Sequence, residues 1–149
     1  MTPEALFRIA NTLALAGWIV LAIFGRRRWA ASVVAGALLP LLFAVLYGAL
    51  IVSHLGQGQG GFGTLAQVAL LFANPWLLLA GWVHYLAFDL FIGSWQVRDA
   101  QRLGIPHWFV VPCLFLTFML GPLGLLAWFA LRRRLAADES SLGAPAALA

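Results

Sequence analysis

WLLLAGWVHYLAFDLFIGSW, residues 76–95, decides the fold. Its twenty residues match the roughly 20 that cross a hydrocarbon core of about 30 Å at about 1.5 Å per residue. Trp76 and Trp95 stand at its ends, where indole rings favour the membrane interfaces. Inside it are His84 and Asp89. An ionisable residue at that depth costs about 2.5–3.5 kcal/mol on insertion scales, so it is expected to face a partner or a cavity rather than lipid. The stretch predicts a spanning helix with a polar site turned inward.

The rest of the chain agrees. Of its 149 residues, 63% are hydrophobic and 9% charged, with mean hydropathy +0.94; soluble domains are about 25% charged. Apolar runs at 6–24, 29–52 and 107–131 supply three more candidate spans. The first is longer than the core of a secretory signal, and its basic cluster follows it rather than precedes it. Ser53 to Gly63 holds five glycines and reads as a loop. Residues 64–73 are apolar but too few to cross, and Asn74-Pro75 breaks the helix after them. Gln96 to Pro106 reads as a polar loop. The expected architecture is an all-α integral membrane four-helix bundle with an extra short interfacial or re-entrant helix. It forms one transmembrane domain over 1–134, followed by a flexible tail over 135–149.

All nine basic residues are arginine. Six lie in two triplets, Arg26-Arg27-Arg28 and Arg132-Arg133-Arg134, each after an apolar run. That placement fits anchoring beside anionic headgroups, so membrane lipids and not nucleic acid are the expected partners. With four spans, five arginines (26, 27, 28, 98 and 102) fall on one side and four (8, 132, 133 and 134) on the other. Orientation then rests on a margin of one. The arginine-only, alanine- and leucine-rich composition suits a multi-pass protein of a bacterial inner membrane. Cys113 is the single cysteine and excludes an intrachain disulfide. No metal-ligand spacing, phosphate loop, dinucleotide fingerprint or Ser/His/Asp order is present, so no metal and no cofactor is expected. The chain carries no signal for its oligomeric state.

On an ideal helix Trp82, Tyr85, Asp89 and Gln96 fall within about 60° of one another, and Ala80, Gly81, His84 and Phe88 form a second sector. His84 and Asp89 are about 140° apart, which excludes simple chelation of one metal by the pair. Asp89 has two readings. It could fix helix packing by pairing with Arg98 or Arg102 or by capping a neighbouring span, or it could exchange protons with a substrate. His84 likewise could hydrogen-bond Asn11 or Thr117, or take part in proton transfer. Both side chains are expected to face the interior.

The pattern Trp82-x-His84-x4-Asp89-Leu90-Phe91, then Asp99, Pro112-Cys113-Leu114 and Gly121-Pro122-Leu123-Gly124, resembles the abscisic acid-deficient 4-like membrane proteins. The resemblance is best over residues 74–131. The plant members are associated with neoxanthin synthesis in plastids. The resemblance implies a polytopic membrane protein with four spans and chemistry on a carotenoid or another isoprenoid lipid. Converting an epoxide to an allenic alcohol needs acid assistance at oxygen and removal of a proton from carbon. On that reading Asp89 and His84 are the catalytic candidates, and Trp82, Tyr85, Asn11 and Thr117 would line the substrate. The alternative is a non-catalytic protein that binds a lipid or pigment or assists an enzyme.

Overall fold

The computed structural model describes the backbone of residues 1–142 and the side chains of residues 1–135. It is all-helical, with no strand among the described residues. Helix α1 is Pro3–Phe24, and α2 runs Trp29–Gln57. The short α3 is Leu65–Phe72, α4 is Pro75–Arg102, α5 is His107–Leu120, and α6 is Pro122–Leu142. Only α1, α2 and α4 are long and apolar enough to cross a membrane, among the described residues.

Local chemistry sets the helix starts. Thr2 caps α1 by accepting from the Ala5 amide, with Pro3 in the first turn. Thr64 accepts from Gln67 N and starts α3, whose eight residues reach about 12 Å and cannot span. Asn74 is extended, as a residue before proline must be, and its side chain accepts from Trp76 N at 2.9 Å to open α4. The expected break before residue 76 is therefore a capped helix start. The first ten residues of α2, Trp29–Leu38, are wound with i→i+5 bonds and tighten to an α-helix at Leu39. Pro40 has no amide to donate and its ring crowds the carbonyl four residues back, so the helix widens ahead of it.

Helix α4 is the axis of the molecule. α1, α2 and α5 pack along it, and thirteen of its residues are buried. Small residues set the spacing. Gly17 admits Leu39 and Leu90, and Gly93 lies under the Trp18 ring. Ala31 and Ala35 are fully buried on α2.

Two expectations change. Residues 96–102, read as loop, are the last two turns of α4, and the connection to α5 is only Leu103 to Pro106. Hydropathy drops over these two turns, but the helix continues through them. The run 107–131 is likewise not one helix. It breaks at Gly121, whose φ of +43° suits glycine, and Pro122 opens α6. Gly124 sits on the backbone of Thr117. Gln96 Nε2 reaches both Thr117 Oγ1 and the Gly124 carbonyl, at 3.0 and 3.1 Å. A continuous helix would hold those two residues about 10 Å apart. Trp128 and Arg132 then meet Asp99, near the end of α4. So α5 and α6 form a hairpin that starts and finishes at the same end of the bundle. α6 continues to Leu142, which makes the start of the expected tail helical; residues 143–149 lie outside the described residues.

The hairpin gathers the charge. Gln101 donates to the Gly25 carbonyl at 2.7 Å, and His107 Nε2 meets the Ala22 carbonyl at 2.8 Å, so α1, α4 and α5 share that end. Arg26, Arg27, Arg28, Arg98, Arg102, Arg132, Arg133 and Arg134 all lie there, and only Arg8 lies at the other.

Candidate functional site

Asp89 is the fifteenth of the 28 residues of α4. At about 1.5 Å per residue it stands about 20 Å from either end of the helix. The tip of the α5–α6 hairpin comes to this level. A Cβ on Gly121 would lie 3.0 Å from Asp89 Oδ1 and 3.2 Å from Oδ2, so a side chain there would make the carboxyl give way by a few tenths of an ångström. Asp89 Oδ2 is buried without a hydrogen-bond partner, and no other buried side-chain N or O atom among the described residues is left so. Tyr85, one turn back on the same flank, donates its hydroxyl to the Phe118 carbonyl at 3.2 Å. Neither Arg98 nor Arg102 pairs with Asp89; the one ion pair among the described residues joins Arg132 to Asp99 at 2.7 Å.

The helical sector that contains Asp89 reads as a line of contacts to the hairpin. Tyr85 meets Phe118, Asp89 meets Gly121, and Gln96 meets Thr117 and Gly124. Asp99 continues the line, accepting from Trp128 Nε1 at 3.1 Å and from Arg132. Gln96, Thr117 and Trp128 are fully buried. Thr117 has no free polar group to offer a ligand, because its hydroxyl is shared with Gln96 and the Cys113 carbonyl. Thus Thr117 holds the hairpin on α4 and does not line an open site.

Trp82 is in the same sector but faces α1. Its indole donates to Asn11 Oδ1 at 3.0 Å, and its ring lies 5.6 Å from Phe7 and 5.4 Å from Tyr85. Trp82 borders a cavity of about 400 Å³ with Phe7, Pro75 and Leu78, near the N-terminal end of α4.

His84 points elsewhere. It is exposed on the protein surface, which corrects the expectation that it faces the interior. Its ring lies 5.4 Å from Tyr47 and 4.6 Å from Phe88. It borders an apolar cavity of about 250 Å³ with Phe62, Leu71, Phe72 and Gly81, between α2, α3 and α4. The cause is the turn of the helix: five residues on from His84, the chain has rotated to the face that meets the hairpin. His84 reaches neither Asn11 nor Thr117.

The structure therefore turns Asp89 and Tyr85 to the hairpin, joins Asn11 to Trp82, and sets His84 apart from both. The sequence reading missed two features. One is the Gln96–Thr117 lock, although Gln96 had been placed in the right sector. The other is the Asp99–Trp128–Arg132 cluster, hidden because Asp99 was read as loop. Among the described residues no three His, Cys, Asp or Glu side chains group as a metal site would require.

A family model described as "ABA DEFICIENT 4-like" matches residues 5–128. The match takes in the Asp89 sector, the hairpin tip and Trp128, and stops short of Arg132. No curated protein and no solved structure matches the chain.

Proposed function

This chain belongs to the ABA DEFICIENT 4-like family of membrane proteins, and from that membership and the geometry we propose that it is a bilayer-embedded isomerase acting on an isoprenoid lipid, with Asp89 as the group that gives and takes the proton. In this reading α1, α2 and α4 cross the membrane, here assigned as a bacterial cytoplasmic membrane. The α5–α6 hairpin dips in from the arginine-rich end and brings Gly121 to Asp89 near mid-depth. The observation that carries the proposal is the buried, unpartnered Oδ2 of Asp89 halfway along α4. A carboxyl group there is costly unless something offsets it, and no described residue offers that oxygen a donor.

The surroundings suit an isoprenoid substrate. Carotenoids and related polyprenyl lipids already reside in the hydrocarbon core, and an oxygen function on such a chain can reach Asp89 without entering water. The protonated carboxyl gives its proton to an epoxide oxygen as the C–O bond breaks. The carboxylate so formed takes a proton from the neighbouring carbon, whose C–H electrons become the new double bond. The proton count closes and the product is an isomer. Tyr85 stands one turn before Asp89 on the same flank, and its ring would border the substrate.

The test is Asp89→Asn, expressed beside the wild type, with extracted lipids compared by mass spectrometry and chromatography. The expected result is a folded, inserted protein and loss of the isomerised product, because an amide keeps the size but cannot take the proton. A folded and fully active variant would overturn the proposal.

A second reading is supported by the separation of His84 from Asp89. Two titratable groups on different faces do not form an acid–base pair at one atom. The protein would then bind a lipid or pigment, with the His84–Tyr47 cavity as the seat. Ligand copurification that depends on His84 and not on Asp89 would favour this reading.

A further inference from the structure

The arginine-rich end contains a formed cavity remote from Asp89. Its volume is about 470 Å³, and Arg26, Gln101, Gly104, Ile105, His107 and Trp108 line it. It lies between the α1–α2 turn and the α4–α5 loop. Two hydrogen bonds hold its walls, from Gln101 to the Gly25 carbonyl and between His107 and the Ala22 carbonyl. Arg26 is exposed and has no ion-pair partner among the described residues.

We propose that this cavity binds the phosphate headgroup of an anionic phospholipid from the surrounding leaflet, with Arg26 as its charged contact. Three independent features support a lipid. The first is charge. Among the described side chains this end carries eight arginines against one carboxylate, Asp99, which Arg132 already engages. Such a basic pocket between membrane helices suits an anionic headgroup. The second is chemistry. A guanidinium offers two parallel donors to a phosphate, and α5 begins at the cavity wall without a side-chain cap on its first amides. The third is the apolar rim. Trp108 is 78% exposed and Phe109 48% exposed beside the cavity, and Trp29 is 49% exposed across the turn. Indole rings favour the headgroup level, and the apolar faces below it can lie along acyl chains.

The probe is phosphatidylglycerol against phosphatidylcholine, on the full chain purified in mild detergent. Lipid retention is read by native mass spectrometry, and thermal stability is read on adding each lipid. Wild type should retain phosphatidylglycerol and be stabilised by it, and should do neither with phosphatidylcholine. Arg26→Gln should lower phosphatidylglycerol retention about tenfold, the factor expected for one lost charge-assisted hydrogen bond. Arg133→Gln removes the same charge outside the cavity and should leave retention within about twofold, as an exposed charge near a membrane surface acts weakly. The melting curve without lipid shows whether Arg26→Gln is folded. If it is not, Trp108→Ala should give the same loss. Equal loss in Arg26→Gln and Arg133→Gln would reduce the effect to diffuse charge and overturn the site. No retention by wild type would also overturn it. Displacement of the lipid by excess inorganic phosphate would make it a soluble-anion site instead.

Discussion

Gly121 lies directly against the Asp89 carboxyl: a Cβ on the glycine would stand 3.0 Å from Oδ1. The contact joins the tip of the hairpin to the midpoint of α4. A glycine suits this turn, since φ is +43° and a side chain here would press on the Asp89 carboxyl. Gly121→Ala should destabilise the protein by about 1–3 kcal/mol from backbone strain, with the contact adding to it. The measurement is the melting temperature in detergent. An unchanged value would show that the tip is not held against Asp89.

The Gln96–Thr117 pair predicts a different loss. Thr117→Val keeps the shape and removes the hydroxyl, leaving Gln96 Oε1 without its donor in a fully buried site. The expected cost is about 1–3 kcal/mol. Thr12 is exposed and bonds only its own helix, to the Arg8 carbonyl. Thr12→Val should therefore stay within about 0.5 kcal/mol of wild type. Paired melting curves decide it, and similar shifts for both variants would contradict the packing described.

The basic triplet Arg132-Arg133-Arg134 divides. Arg132 bonds Asp99 at 2.7 Å, whereas Arg133 and Arg134 are exposed. Arg132→Gln should cost about 1.5–3 kcal/mol, the range for a hydrogen bond to a charged group. It should also change the fluorescence of Trp128, which shares Asp99. Arg133→Gln should do neither. Equal behaviour of the two variants would return all three residues to a common role in anchoring.

The hairpin predicts termini on opposite sides of the membrane. Three crossings and a return from mid-depth leave residue 1 opposite the arginine-rich end, which faces the cytoplasm by the positive-inside rule, eight arginines to one. Reporter fusions before residue 3 and after residue 142 should report opposite compartments. The same compartment for both would restore the even count read from apolar run lengths.

Much of this fold was legible, for identifiable reasons. Apolar length located α1, α2 and the membrane part of α4, and Asn74-Pro75 marked a real cap. The 100° step of the helix put Tyr85, Asp89 and Gln96 on one flank and His84 on another, as the structure has them. It did not tell which flank would be covered, so His84 was expected inside. The return at Gly121 was hidden because hydropathy has no direction. Gly121-Pro122-Leu123-Gly124 serves equally as a close-packing motif in a straight span and as a break. Only the positive φ and the contacts of Gln96 distinguish them. Asp99 was missed because its partners lie 29 and 33 residues downstream, a pairing that local pattern does not encode.

That separation has a consequence for how the protein is made. Chains grow at about 5–20 residues per second. Arg132 is 33 residues beyond Asp99, so α4 waits a few seconds for the groups that satisfy Gln96 and Asp99. Until then two polar side chains at its trailing end have no partner from the chain. They must stay hydrated or be held by the insertion machinery. The arrival of α6 is thus the step that releases α4 to settle, and a chain cut short before Trp128 should be the form that quality control removes.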